Sequence, residues 1–427
     1  MYLTTTRAMQ LYQLMRAGAG VLTGVVLAKS MLSTAEIGTW EALLFLGTLV
    51  LFTGVNGLLQ GITPIYIPLE AAQRKQFLFQ VFLVFGAIGL SFFLILVGGN
   101  HWLIPAITGL PELPGFYWFS LYLLLNIGTL PVEIVYLLHN KPQAIVVWGI
   151  FGFGGQMLAI TIPALLGWGL IGGLQCLCIL AFLKLLWTFV VIKKYTIPAL
   201  PAPSTKTYLA TSTPLALNSF TGNLISLFDG WLVGNWFANP IIFAIFRYGS
   251  REFPWASALS TALGTATVPD IAANKETGIS ALKQRSTRLL HAVMPLSILL
   301  MLLTPTLFPI VFSPAFTEAA PLFQIYLLVT LSRVLLPNTI LIGIGQSKVI
   351  FWTGIAELIV KVITGFLMIQ WWGLAGVGWS VVVSYWFEKL VLAGYLWRNL
   401  GILPNKWLNW PLFLGYSLLL VLAYLGA

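Results

Sequence analysis

The chain reads as an all-α integral membrane protein: two six-helix bundles related by a pseudo-two-fold axis along the membrane normal, plus one extra C-terminal helix. Three observations predict this class. Of the 427 residues, 59% are hydrophobic and only 8% charged, whereas a soluble globular chain carries about a quarter charged residues. Long apolar runs recur in two sets of six on either side of a polar break. Lysine and arginine are confined to alternate loops, as expected for helices threading back and forth through a bilayer.

A crossing helix needs about 20 apolar residues. That rule predicts spans near 8–30, 38–68, 77–98, 116–139, 142–166 and 170–193. After the Pro-containing segment IPALPAPSTKT, a second series follows near 208–236, 240–271, 287–312, 318–343, 346–370 and 374–398. A thirteenth apolar stretch near 408–425 is shortened by Pro411. The domains expected are therefore 1–199, 200–400 and a terminal segment, 401–427. The halves also align with each other: Gly24 to Glu41 can be laid over Gly230 to Gly249, and each is followed by a Pro-containing span end, ITPIYIP and TVPDIAA. Six spans per half give both halves the same orientation, with a central cleft as the expected binding site.

With the N-terminus in the cytoplasm, the inner loops carry Arg74 and Lys75, Lys141, then Lys193, Lys194 and Lys206. They continue with Lys275, Lys283, Arg285 and Arg288, then Lys348, then Arg398 and Lys406. The opposite loops carry no Lys or Arg, and Lys29 lies at the outer end of the first span. The formal charge of +10 is thus a topological signal and argues for no nucleic-acid partner. Arg7 and Arg16 interrupt the first apolar run, so the first span is expected to remain in the mature protein. Cys176 and Cys178 lie inside an apolar run and suggest packing, neither a disulfide framework nor a zinc site. His101, His139 and His291 fall near span ends and are read as interfacial.

Charges within the spans carry the chemistry. A Lys or Arg at the bilayer centre costs about 2.5–3.5 kcal/mol on insertion scales, so Arg16, Lys184, Arg247, Arg251, Arg333 and Lys361 must face protein or water. Gln13, Arg16, Gly20 and Thr23 share one face of the first span, and Arg247 and Arg251 fall one turn apart in the eighth, which Pro254 is expected to kink. Glu41, Glu133, Asp229, Glu252, Glu357 and Glu388 balance these bases in number, so pairing within the membrane is the alternative for each. Lys361 follows Glu357 by one turn, the favourable order for an intrahelical pair. Lys184 has no partner in its own helix and is expected to reach Glu133 or to snorkel. Polar seams run along Asn218, Gly222, Ser226 and Asp229 in the seventh span and along Thr353, Glu357, Lys361 and Thr364 in the eleventh.

The early segments GVVLAKSMLSTAEIGTWE and GLLQGITPIYIPL, an Arg in the first span and the later RYGSREFPWASALSTALGTATVP resemble bacterial polysaccharide flippases. With the six-plus-six layout, the chain resembles the multidrug, oligosaccharidyl-lipid and polysaccharide (MOP) exporter superfamily in its O-antigen and lipid-linked oligosaccharide branch. Members usually carry twelve or fourteen spans, and thirteen departs from that. The resemblance implies a MATE-like fold in the bacterial cytoplasmic membrane. It also implies alternating access that flips a polyprenyl-pyrophosphate-linked oligosaccharide, with no covalent chemistry and no cofactor. The planar fork of arginine suits phosphate oxygens, which makes Arg16, Arg247, Arg251 and Arg333 the substrate-binding candidates, with Lys361 and Lys184 secondary. By the same resemblance Asp229, with Glu357, is the candidate for coupling to Na+ or H+, and Asp229 the candidate Na+ ligand. The partners expected are the lipid-linked glycan, membrane lipid and polysaccharide-assembly proteins, with the chain itself monomeric. Two competing functions are a multidrug antiporter, which the arginines disfavour, and a membrane glycan polymerase or glycosyltransferase. The short outer loop around GGNHWLIPAITGLPELPG, with Glu112 its one carboxylate, disfavours the enzyme.

Overall fold

A computed structural model describes residues 3–51, 55–199, 204–252 and 254–427. The side chains of Asn218, Gly222 and Ser226, part of the seventh-span seam, lie outside the described residues. Among the described residues the regular structure is helical, with no β-strand. The chain packs as two compact units, Met1–Ala244 and Ile245–Ala427.

The first unit begins with α1 (Thr5–Ala28), α2 (Thr34–Val50) and α3 (Asn56–Tyr66). Ser33 and Glu36 close a capping box at the start of α2, satisfying two orphan backbone donors. Next come α4 (Ala71–Gly98), α5 (Asn100–Thr108), α6 (Phe116–Ile127) and α7 (Val132–Leu138). The segment α5 is a short helix within GGNHWLIPAITGLPELPG, between the third and fourth predicted spans. The fifth span is α8 (Pro142–Gly149), a π-helical turn at Ile150–Gly154 and α9 (Gly155–Leu165). Its Gly149 sits against Tyr12 and Met15 of α1, where a Cβ would collide with both side chains. Then follow α10 (Gly169–Tyr195) and α11 (Ser204–Phe237). Although α11 comes after the polar linker, it packs along α3: Gly57 and Gly61, one turn apart, lie on Ala216 and Ser212 with no room for a side chain.

The helix α12 (Pro240–Gly249) leads into the second unit, and α13 (Pro254–Ala273) follows. Here the structure corrects the expected continuous eighth span. The helix stops at Gly249 and a new one starts at Pro254, a first-turn position where proline's missing backbone N–H costs no helical hydrogen bond. Arg247 therefore lies in the last turn of α12, and Arg251 lies in the break. Next is α14 (Lys275–Val311), capped by Asn274, whose side chain accepts from the Glu276 and Thr277 backbone N–H groups. It starts well before the predicted span at 287, because an apolar-run rule registers only the lipid-embedded part of a helix. At that end Arg285 bridges Asp270 at 2.7 Å, and Lys283 donates to the Asn405 carbonyl at 2.8 Å.

The tenth span divides into α15 (Ala319–Arg333) and α16 (Pro337–Gly343). The next element, α17 (Ser347–Leu400), has 54 residues, about 80 Å if straight and far too long for a hydrocarbon core of about 30 Å. It is a hairpin of two arms, 347–372 and 374–400. Gly373 (φ 57°, ψ −132°) breaks it, and the Met368 carbonyl packs so closely on Gly376 that no Cβ fits. A terminal helix, α18 (Trp410–Gly426), packs on α14 and α15. Eight helical segments among the described residues are long and apolar enough to cross a membrane. The hairpin α17 is one of these and supplies two spans, while α2–α3, α11, α12–α13 and α18 fall where the sequence places the remaining four.

Candidate functional site

Each unit buries a polar cluster of its own. In the second, Glu252 lies outside the helices, in the non-helical stretch 250–252, and α15 brings up Arg333 as its last residue. The two meet through parallel hydrogen bonds, Arg333 Nε to Glu252 Oε2 at 3.0 Å and Nη2 to Oε1 at 2.9 Å. From the second arm of α17, the Tyr385 hydroxyl accepts from Arg333 Nη2 at 2.9 Å and donates to Glu252 Oε1 at 3.0 Å. Paired, planar contacts of this kind are the strong ones.

The cluster continues one turn further along that arm. Lys389 Nζ bridges Glu388 Oε2 at 2.7 Å with both side chains largely buried, and Asn338 Nδ2 donates to Glu388 Oε1 at 2.8 Å. On the first arm of α17, Thr353, Glu357 and Lys361 of the eleventh-span seam are buried and Thr364 is half-buried. Glu357 lies in electrostatic range of Glu388, Lys389, Lys361 and Arg333, and its Oε1 atom is buried without a hydrogen-bond partner. Lys361 Nζ sits 5.9 Å from the Tyr385 ring. Three acids and three bases thus lie in one region, Glu357, Lys361 and Lys389 buried and Arg333 and Glu252 half-buried, each charge near one of opposite sign.

Beside this cluster lies a cavity of about 490 Å³ between α13, α16 and the second arm of α17. Ser257, Ser260, Thr261 and Thr265 line it from α13, Asn338 and Thr339 from α16, with Arg333 and Lys389 at its edge.

In the first unit, Lys184 of α10 is buried, and its Nζ donates to Asn126 Oδ1 at 2.5 Å. It also lies 5.4 Å from the centre of the Trp148 ring. Lys184 therefore does not snorkel: it sits mid-helix, held by an amide on α6, with Glu133 in electrostatic range. Glu133 faces the Tyr12 hydroxyl, and Arg16 lies in the same electrostatic neighbourhood. Gln13, Arg16 and Gly20 form an exposed face of α1, turned away from the packing of their own unit.

The remaining predicted residues are spread between the units. Asp229 is buried on α11 of the first, and Glu357 is buried on α17 of the second. Arg247 and Arg251 are half-buried, and the Arg251 guanidinium lies 5.0 Å from the Tyr248 ring. Arg333 meets the pairing alternative through Glu252. No three His, Cys, Asp or Glu side chains converge on one point among the described residues. The sequence reading did not single out Lys389, Tyr385, Asn338, Asn126 or Tyr12. Lys389 had a signal, since a lysine beside Glu388 in an apolar span needs a partner; the uncharged residues had none.

No protein-family model matches the chain, and no curated protein matches it. Solved structures do. The chain is similar to the lipid II flippase MurJ in an inward closed conformation, at 15% identity and a TM-score of 0.72, covering 99% of this chain and 91% of that one. It is similar to an inward-facing multidrug resistance MATE family transporter of the MOP superfamily, at 14% identity and a TM-score of 0.59, over 90% of this chain and 93% of that one. A MOP superfamily transporter from Pyrococcus furiosus matches at 15% identity and a TM-score of 0.55, over 93% and 96%. The chain is therefore a multi-pass membrane protein with the MATE-like fold of these MOP transporters.

Proposed function

We propose that the chain is a flippase that moves a polyprenyl-pyrophosphate-linked oligosaccharide, the repeat unit of an O-antigen or related polysaccharide, across the bacterial cytoplasmic membrane by alternating access. The observation that carries this reading is the likeness to a lipid II flippase along 99% of the chain. The likeness to a multidrug transporter is weaker and covers 90%. Loop lysines and arginines favour a cytoplasmic N-terminus. The pyrophosphate falls to Arg16, exposed on α1, to Arg247 in the last turn of α12 and to Arg251 in the break after it. Guanidinium groups suit phosphate because their donors lie in one plane. Arg333, the fourth candidate, is already committed to Glu252. Coupling to Na+ or H+ falls to Asp229 and Glu357, both buried carboxylates.

The test is complementation of a strain lacking its own repeat-unit flippase. The wild-type chain is expected to stop lipid-linked repeat units from accumulating on the cytoplasmic face, and Arg16→Ala with Arg247→Ala to lose that activity at unchanged membrane abundance. Full activity of the double variant would remove the arginines from the mechanism. Ion coupling is read in proteoliposomes, where Asp229→Asn is expected to abolish the ion dependence of flipping. A second reading, a multidrug antiporter, follows from the MATE likeness. It predicts resistance to cationic dyes on expression, which the flippase reading does not.

A further inference from the structure

The cavity beside the charge cluster of the second unit is built for a ligand different from a phosphate. Its α13 wall is a stripe of hydroxyls, with Ser257, Thr261 and Thr265 at intervals of four residues and Ser260 between them. Residues so spaced lie on one helical face. The facing α16 wall adds the Asn338 amide and the Thr339 hydroxyl. The two helices approach closely there, a Cβ on Gly264 falling 2.8 Å from Thr339 Oγ1. Ser260 is 4% exposed, and its Oγ atom, like Asn338 Oδ1, has no hydrogen-bond partner. Ser260 Oγ and Asn338 Oδ1 thus hold hydrogen-bonding capacity that the protein does not use internally, and unused capacity of this kind is costly unless something fills it.

Charge narrows the ligand. Both cations at the cavity edge are committed, Arg333 to Glu252 and Lys389 to Glu388, so an anion entering here competes with two carboxylates already in place. Among the described residues neither carboxylate lines the cavity, so a free cation meets no counter-charge on that lining. A neutral ligand rich in hydroxyls meets neither obstacle. At about 490 Å³ the cavity exceeds a water molecule's share of about 30 Å³ many times over and lies within the range of small-molecule sites, about 300–1,000 Å³. It sits towards the end of the unit that carries Lys275 and Lys348, the end where cargo loads if that end is cytoplasmic.

We infer that this cavity is a subsite for an uncharged pyranose of the cargo, held by the α13 hydroxyl stripe and the Asn338 amide. The inference rests on the glycan-flippase reading and deepens it: the arginines take the pyrophosphate, and the hydroxyl cavity takes a sugar.

The experiment measures binding of two probes to the purified full chain: undecaprenyl pyrophosphate, and the same lipid bearing one N-acetylglucosamine. The wild type is expected to bind the glycosylated lipid about tenfold more tightly, the scale of one or two added neutral hydrogen bonds. Thr261→Val with Thr265→Val, isosteric changes at exposed positions, is expected to erase that gain at an unchanged melting temperature. Ser260→Ala is the second variant and is expected to reduce the gain. Equal binding of both lipids by the wild type overturns the subsite and leaves the flippase reading standing. A gain that survives both variants does the same. Binding of neither lipid overturns the flippase reading, and the subsite with it.

Discussion

Lys389 and Glu388 form the pair whose loss is most readily predicted. Their side chains are 11% and 12% exposed. Removing one member of a buried pair leaves an uncompensated charge, at a cost of about 3–5 kcal/mol. Lys389→Met is expected to lower the melting temperature of the detergent-purified protein by several degrees, and Lys389→Met with Glu388→Gln to recover most of the loss. Equal melting of the single variant and the wild type would show that water reaches the pair. Glu36 gives a pH-dependent prediction. It sits at the membrane surface, two residues before the predicted second span. Partial burial raises its carboxyl, but the Ser33 backbone N–H, the Ser33 hydroxyl and the Leu170 N–H outweigh that and hold it below the usual carboxylate range. A depressed carboxyl stabilises above its unfolded value and loses the contribution as pH falls through its folded value. The melting deficit of Glu36→Gln is therefore expected in full at pH 7 and to shrink towards pH 3; a deficit that does not change with pH would exclude the ionised cap.

At the scale of elements, close helix contacts depend on a few missing side chains. Small residues let membrane helices approach where apolar side chains gain nothing over lipid. Gly57 of α3 lies against the Ala216 backbone of α11, whereas Gly18 of α1 has nothing within 4 Å. Gly57→Val is expected to destabilise the first unit and lower its yield in membranes, and Gly18→Val to leave both unchanged. Comparable effects from the two would mean that valine disturbs these helices by propensity alone. Gly373 is the second test. Its backbone (φ 57°, ψ −132°) is a region that L residues with a Cβ occupy only under strain of about 1–3 kcal/mol. Gly373→Ala is expected to lower thermal stability by that amount, and no loss would mean that the hairpin turn relaxes.

For the whole molecule, the division between sequence and structure follows from the range of each force. Hydrophobicity acts residue by residue, so the apolar runs, the polar linker and the loop-charge asymmetry were readable in order along the chain. The stripe at Thr353, Glu357 and Lys361 was readable too, since helical spacing fixes which residues share a face. The break before Pro254 was half-readable: proline marked the place, while a full interruption required packing that leaves Glu252 free to turn towards Arg333. The short helix α5 and the early start of α14, twelve residues before the predicted span, escaped notice because neither is a long apolar run.

What the sequence determined by itself was the solvent. With 8% charged residues, burying the apolar surface in lipid is the one arrangement that leaves so little polar surface sufficient, and helices satisfy their own backbone there. Only the tertiary structure decided which charges meet. Glu252 and Arg333 are 81 residues apart, and Asn126 and Lys184 are 58 apart. Electrostatic and hydrogen-bond partners are chosen by distance in space, at about 3 Å, and nothing along the chain encodes that distance until the helices pack.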